Sequence, residues 1–153
     1  MSSRRKWILI TLGVLVAAFA LMQLVPYRVS NPSTNNGPQW DSPRTEQLAR
    51  AACFDCHSNE TETAWWEDVA PLSWWITNHV DEGRAALNFS ECTGSGGEAD
   101  DAAETVRDGE MPPGYYTWFG MHGDAKLTKQ ERRELAAGLL KTLQGAGCGG
   151  EGD

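Results

Sequence analysis

The residues with the clearest chemical signature are Cys53-Phe54-Asp55-Cys56-His57. Two thiols stand three positions apart and an imidazole follows directly. On a helical turn, positions i, i+3 and i+4 share one face. Both sulfurs can therefore add to the two vinyl groups of one porphyrin, while the neighbouring imidazole nitrogen points at its iron. This C-x-x-C-H run is the attachment pattern of a c-type haem. A zinc site built on the same cysteines needs a second closely spaced ligand pair, and the remaining cysteines, Cys92 and Cys148, lie 56 residues apart. A dithiol oxidoreductase needs a βαβ setting, for which the chain has no strand pattern. The expectation is one covalent haem c held by Cys53 and Cys56, with His57 as the proximal iron ligand.

The sixth iron position has several candidates. Met111 opens Met111-Pro112-Pro113-Gly114, shortly after Gly109. Proline fixes the backbone there, so a thioether could be held over the open haem face. A lone methionine elsewhere is usually core filler. Met/His ligation raises the potential of haem iron and suits electron transfer. His122 is the alternative distal ligand, with Met121 behind it. His79 shares a helix face with Leu72, Trp75 and Gly83 and reads as a hydrogen-bonded core histidine. Arg84 is a candidate partner for a haem propionate, or an exposed arginine. Of seven tryptophans, those at 65, 66, 74, 75 and 118 supply core bulk or shield the porphyrin from water. Cys92 and Cys148 form an even pair available for a disulfide in an oxidising compartment.

These groups must be positioned by helices. Ser42 with Pro43 at the first helical position starts one that runs into Cys53. A longer one is predicted from Pro71 to about Leu87, and a short one over roughly Asp100 to Arg107, stopped by Gly109. The last opens on Thr128 and Glu131, a capping box, and lines Leu135, Leu139, Leu140 and Leu143 along one face. No hairpin signal or internal repeat is present. Ahead of the domain, Trp7 to Val25 form 19 residues without a charge and with one strongly polar side chain, Gln23. As a helix this run is roughly 28 Å long, close to a bilayer's hydrocarbon thickness. The basic residues Arg4, Arg5 and Lys6 should stay in the cytoplasm and send the rest across. Ala18-Phe19-Ala20 offers a rival reading as a cleavable signal peptide, but the apolar run continues past it.

The organisation predicted is therefore a basic segment (1–6), a transmembrane anchor (7–25), a Pro/Asn/Ser-rich linker spacing the domain off the membrane (26–40), a haem domain (41–144) and a Gly-rich tail (145–153). All 21 acidic residues lie beyond residue 40, against 10 basic ones outside the N-terminal cluster, a net charge of −11. Such a surface repels nucleic acid; it suits a basic partner or simply keeps the domain soluble.

Several ordered motifs together resemble the haem-binding-domain family of bacterial membrane-anchored monohaem proteins. They are Cys53 through Thr61 (CFDCHSNET), Val69-Ala70-Pro71-Leu72-Ser73-Trp74, His79 through Arg84 (HVDEGR), Leu87-Asn88-Phe89-Ser90 and Gly109 through Pro113 (GEMPP), followed by Tyr116, His122, Ala125 and Leu127. The likeness runs from about Gln23 to Leu143. It implies covalent haem through Cys53, Cys56 and His57, and makes Met111 the first choice for the distal ligand. The chain departs from the family's usual Trp-Pro-Trp-Tyr-like stretch at Ala64-Trp65-Trp66-Glu67. It departs again at Cys92, where the family tends to have Trp, and where a Gly- and acid-rich insertion follows.

The expectation is an all-α, cytochrome c-like haem domain on an N-terminal transmembrane helix, facing the periplasmic side of the inner membrane. Its role would be that of an electron carrier rather than an enzyme, working with membrane or periplasmic redox proteins or as a subunit of a larger complex. A haem-based sensor with a displaceable sixth ligand is the alternative. A peroxidase-type activity, with His122 or Glu110 as acid–base group, ranks below both.

Overall fold

The computed structural model describes residues 2–33, 37–92, 98–120 and 122–145. These residues include six α-helices: α1 (Ser3–Met22), α2 (Pro43–Ala52), α3 (Phe54–His57), α4 (Leu72–Ala86), α5 (Glu98–Asp108) and α6 (Lys129–Gly145). Two 3-10 segments, Gly114–Gly120 and Gly123–Ala125, link α5 to α6. Among the described residues there is no β-strand. The chain divides into two units, one of Met1–Val29 with Thr63–Asn78, the other of Ser30–Glu62 with His79–Asp153.

The first unit is organised around α1. An 18-residue window of its 20 residues has a mean hydropathy of 1.8, and none of the 20 is buried against protein. It is the one described helix long and apolar enough to cross a membrane. The helix takes in the basic cluster and ends at Met22, before the apolar run does. Beyond the end, the Gln23 side chain donates to the carbonyls of Phe19 (3.1 Å) and Ala70 (3.0 Å) and accepts from the Ala70 N–H (3.0 Å).

In the second unit the helix starts follow local chemistry. Ser42 caps α2 by accepting from Thr45 N at 3.2 Å, and Pro43 occupies the first turn. Thr128 and Glu131 form the full capping box of α6: Thr128 N donates to Glu131 Oε2 (2.9 Å) and Glu131 N to Thr128 Oγ1 (3.2 Å). Helix α5 stops at Gly109, whose φ of +85° suits a residue without Cβ. Helices α5 and α6 make the most extensive pair, and α2 crosses α6 as well. The shared core holds Leu48, Ala49, Val106, Leu135, Leu139 and Leu143.

The α2–α6 crossing depends on Gly138. A Cβ there would stand 2.1 Å from Thr45 Oγ1 and 2.6 Å from its Cγ2. Thr45 is itself fixed by Ser42, with the two hydroxyl oxygens 2.9 Å apart. Gly138→Ala should therefore cost about 1–3 kcal/mol by overpacking, despite alanine's better helix propensity. Thr45→Ala in the same chain should recover part of that loss, read as non-additive denaturation midpoints.

The stretch expected to act as a spacer engages the domain at Asn31. Its amide donates to Thr61 O (2.9 Å), and its Oδ1 accepts from Thr61 N (3.2 Å).

Candidate functional site

Backbone geometry brings the cysteine–histidine run together as expected from its spacing. Cys53 closes α2 by donating to Ala49 O, and both Cys56 N and His57 N return to Cys53 O. The segment is then held by a second one, residues 87–91. His57 Nδ1 lies 3.0 Å from Leu87 O, and Phe89 N donates to His57 O at 2.8 Å. Asn88 donates to Asn59 Oδ1 (2.9 Å), Asn59 N to Ser90 Oγ (2.9 Å) and Asn59 Nδ2 to Glu91 Oε1 (3.0 Å). The Phe54 and Phe89 rings stack at 5.5 Å, and Trp40 packs on both. The Ser58-Asn59 and Asn88-Phe89-Ser90 motifs are thus two halves of one clasp around the histidine.

That clasp fixes the imidazole. A carbonyl facing Nδ1 requires the proton there, which leaves the Nε2 lone pair unengaged by it. Burial lowers the His57 pKa, partly offset by the Leu87 and Gly83 backbone contacts, so the ring is held neutral, as a metal ligand must be. Gly83 of α4 lies directly on the motif, since a Cβ there would meet Cys56 O at 2.5 Å.

The two thiols are free and set deep enough for burial to suppress ionisation. Burial, and then the neighbouring Cys56, push Cys53 up to about 12. Burial and Asp55 push Cys56 up to about 11, against a lowering effect of Arg84. Neutral thiols are poor nucleophiles and poor zinc ligands, and the opposite of what a dithiol redox site needs. At pH 8 the folded, haem-free protein should carry on the order of a hundredfold less thiolate at these cysteines than an ordinary thiol. Alkylation should accordingly be slow until the pH approaches 11, and unfolding in denaturant should abolish the protection.

Cys53, Cys56 and His57 line one cavity of about 470 Å³, together with His79, Gly83, Met111, Pro112, Pro113, Tyr115, Tyr116 and apolar groups from α2, α5 and α6. This volume falls in the range of roughly 300–1,000 Å³ common for cofactor sites. Among the described residues no group of three or more His, Cys, Asp or Glu is placed to hold a bare metal ion.

Of the candidates for the sixth position, Met111 is on the cavity wall and His122 is not among the lining residues. The Met111 backbone is pinned from both sides: its N–H donates to Thr105 O (3.2 Å), and Arg132 donates to its carbonyl (2.9 Å). His122 stacks on Tyr116 at 3.9 Å, with Nδ1 3.8 Å from Asp55 Oδ2. Met121 lies outside the described residues.

The carboxylate of Asp55, between the two cysteines, accepts from the Tyr116 hydroxyl and from Glu62 N (3.1 Å). Burial and this bond raise the Tyr116 pKa, so the phenol stays a donor. The intervening residue of the attachment motif thereby ties the segment to the loop after Met111. Nothing in the spacing announced this link, although Tyr116 and His122 belong to the ordered motifs.

The structure adds detail to three readings. His79, read from its helix face as a core histidine, stands on the cavity wall with Tyr115 edge-on at 5.9 Å. Arg84, read as a candidate propionate partner or an exposed arginine, is instead engaged with protein: Nε donates to Ser58 O, Nη1 to Ser30 O, and Nη2 to Asn31 Oδ1 and Thr61 Oγ1, all at 2.7–3.0 Å. The tryptophans also divide, since Trp40 joins the aromatic packing behind the motif whereas Trp118 and Trp65 are largely exposed. Cys92 is disulfide-bonded, and Cys148, its expected partner, lies outside the described residues.

Comparison with known proteins gives one match. The family model described as "Haem-binding domain" covers residues 17–141. No curated protein and no solved structure matches the chain.

Proposed function

The chain belongs to the haem-binding-domain family, and from that premise we propose that it is a membrane-anchored monohaem c-type cytochrome that carries single electrons outside the cytoplasmic membrane. The observation that carries this reading is the sharing of one apolar cavity by Cys53, Cys56, His57 and Met111. The donor set fits a haem: two neutral thiols side by side on the wall, an imidazole with its proton committed to Leu87 O, and a thioether on a pinned backbone.

In this reading Cys53 and Cys56 anchor the porphyrin through sulfur, His57 is the proximal iron ligand through Nε2, and Met111 is the distal one. Haem held in this way supplies a one-electron Fe(III)/Fe(II) couple whose potential a Met/His pair keeps high. The protein's part is to hold both ligands still. The clasp of residues 87–91 does so for His57, and Thr105 with Arg132 does so for Met111. The largely apolar wall would face the porphyrin and lower the polarity around the iron, which tunes its potential. Helix α1 confines the domain to the membrane and raises its effective concentration for redox partners there. The acidic surface favours partners that present a basic face, either soluble carriers or subunits of a membrane complex.

The test is purification of the protein from membranes of a host able to attach c-type haem. One haem per chain that survives denaturation and acidified-solvent extraction, with spectra of a Met/His iron, is the expected result. A colourless polypeptide after extraction, or recovery of the chain in the soluble fraction, would defeat the cytochrome or the anchor part respectively.

A further inference from the structure

We propose that the Trp65–Trp66 turn is a second membrane contact, an aromatic foot seated in the headgroup region of the bilayer. The proposal rests on the reading of α1 as the membrane-spanning helix, and it concerns the outer edge of that span.

The argument starts from length. The uncharged part of α1, from Trp7 to Met22, rises about 24 Å as a helix, some 6 Å short of a hydrocarbon core of roughly 30 Å. With Arg4, Arg5 and Lys6 at the inner surface, the residues just beyond Met22 come to lie at or inside the outer hydrocarbon edge. Leu24, 76 % exposed, and Val25, 48 % exposed, suit that depth. Gln23 does so only if its amide is satisfied without water. It is satisfied, through Phe19 O and through both polar groups of the Ala70 backbone. The one strongly polar side chain of the apolar run thus fastens residue 70 at the level of the membrane edge.

Trp65 and Trp66 lie five and four residues before Ala70, folded back by turns in which Glu67 N donates to Ala64 O and Val69 N to Trp66 O. Glu67 is half-buried and accepts from Ala64 N at 2.7 Å, so one oxygen of its carboxylate is engaged within the turn. The large apolar side chains that it leaves exposed are indoles. Trp65 is 81 % exposed and Trp66 37 %, with Leu72 at 38 % on the other side of the Ala70 anchor point. An exposed Trp65 costs free energy in water, since burying such a ring is worth about 2–3 kcal/mol. At the headgroup level it meets the environment where tryptophan is enriched, with an apolar ring and one N–H donor. The occupant of this surface is therefore lipid.

The full-length holoprotein would be reconstituted in phosphatidylcholine vesicles doped with a phosphatidylcholine carrying a photoactivatable carbene precursor near the glycerol end of one acyl chain. After illumination, labelled peptides would be mapped by mass spectrometry. Labelling of the segment 63–72 should exceed that of the exposed start of α6 several-fold, alongside strong labelling of α1. It should fall several-fold in a W65Q/W66Q variant with an unchanged haem spectrum. Labelled α1 with segment 63–72 at the α6 background overturns the foot and leaves the anchor standing. If α1 is unlabelled too, the anchor reading fails and the foot with it. Wild-type labelling decides the matter even if the variant does not fold.

Discussion

Replacing Cys53 and Cys56 together by serine should convert a haem that stays with the polypeptide through denaturation into one that is lost to acidified solvent almost completely. Serine is nearly isosteric, and neither sulfur is needed to hold the segment in place. That task falls to the bond from Phe89 N to His57 O, the Asn59–Asn88 and Asn59–Ser90 bonds and the Phe54–Phe89 stack. The double variant should therefore still fold around added haem and still hold His57 on the cavity wall, while the covalent link disappears. Either single variant should keep its haem through the remaining thioether, with a shifted absorption band. Haem that remained attached after loss of both sulfurs would end the c-type assignment.

Met111→Ala should leave haem attachment intact and open the sixth iron position. The backbone at 111 is held by Thr105 and Arg132 through main-chain atoms. The side chain is 39 % exposed, so truncation costs little packing and leaves the loop in place. The reduction potential should fall, within the roughly 0.8 V span that axial ligands control. The reduced variant should bind carbon monoxide rapidly and stoichiometrically, where the unmodified protein binds it slowly or incompletely. His122→Ala should leave the iron spectrum as it was, because that ring is engaged with Tyr116 and Asp55. Rapid carbon monoxide binding by the unmodified protein would instead favour a sensor with a displaceable ligand. An unchanged iron spectrum in Met111→Ala would remove Met111 from the ligand set.

What was legible in the sequence follows from short-range rules. The C-x-x-C-H spacing, the Ser42–Pro43 start of α2, the Thr128–Glu131 box of α6, the Gly109 stop and the apolar run of α1 each involve residues within about one turn or one continuous stretch. Backbone geometry alone therefore places them. The haem-binding family could also be read from its ordered motifs, with the family model covering residues 17–141.

The tertiary structure decided what depends on distant residues meeting. The surroundings of Arg84 and His79 were set in this way. The guanidinium finds acceptors at Ser30, Asn31, Ser58 and Thr61, up to 54 positions away, whereas the imidazole comes to line the cavity. The same holds for the Asp55–Tyr116 bond across 61 positions, for the Gln23–Ala70 fastening across 47, and for the glycines at 83 and 138, whose missing side chains allow a distant backbone or Thr45 to approach. Chemistry local to the chain is written in residue types and spacing. Which hydrogen-bonding capacity is consumed by protein, and which is left for a ligand, depends on packing, because each donor is committed only by the partner that folding brings to it.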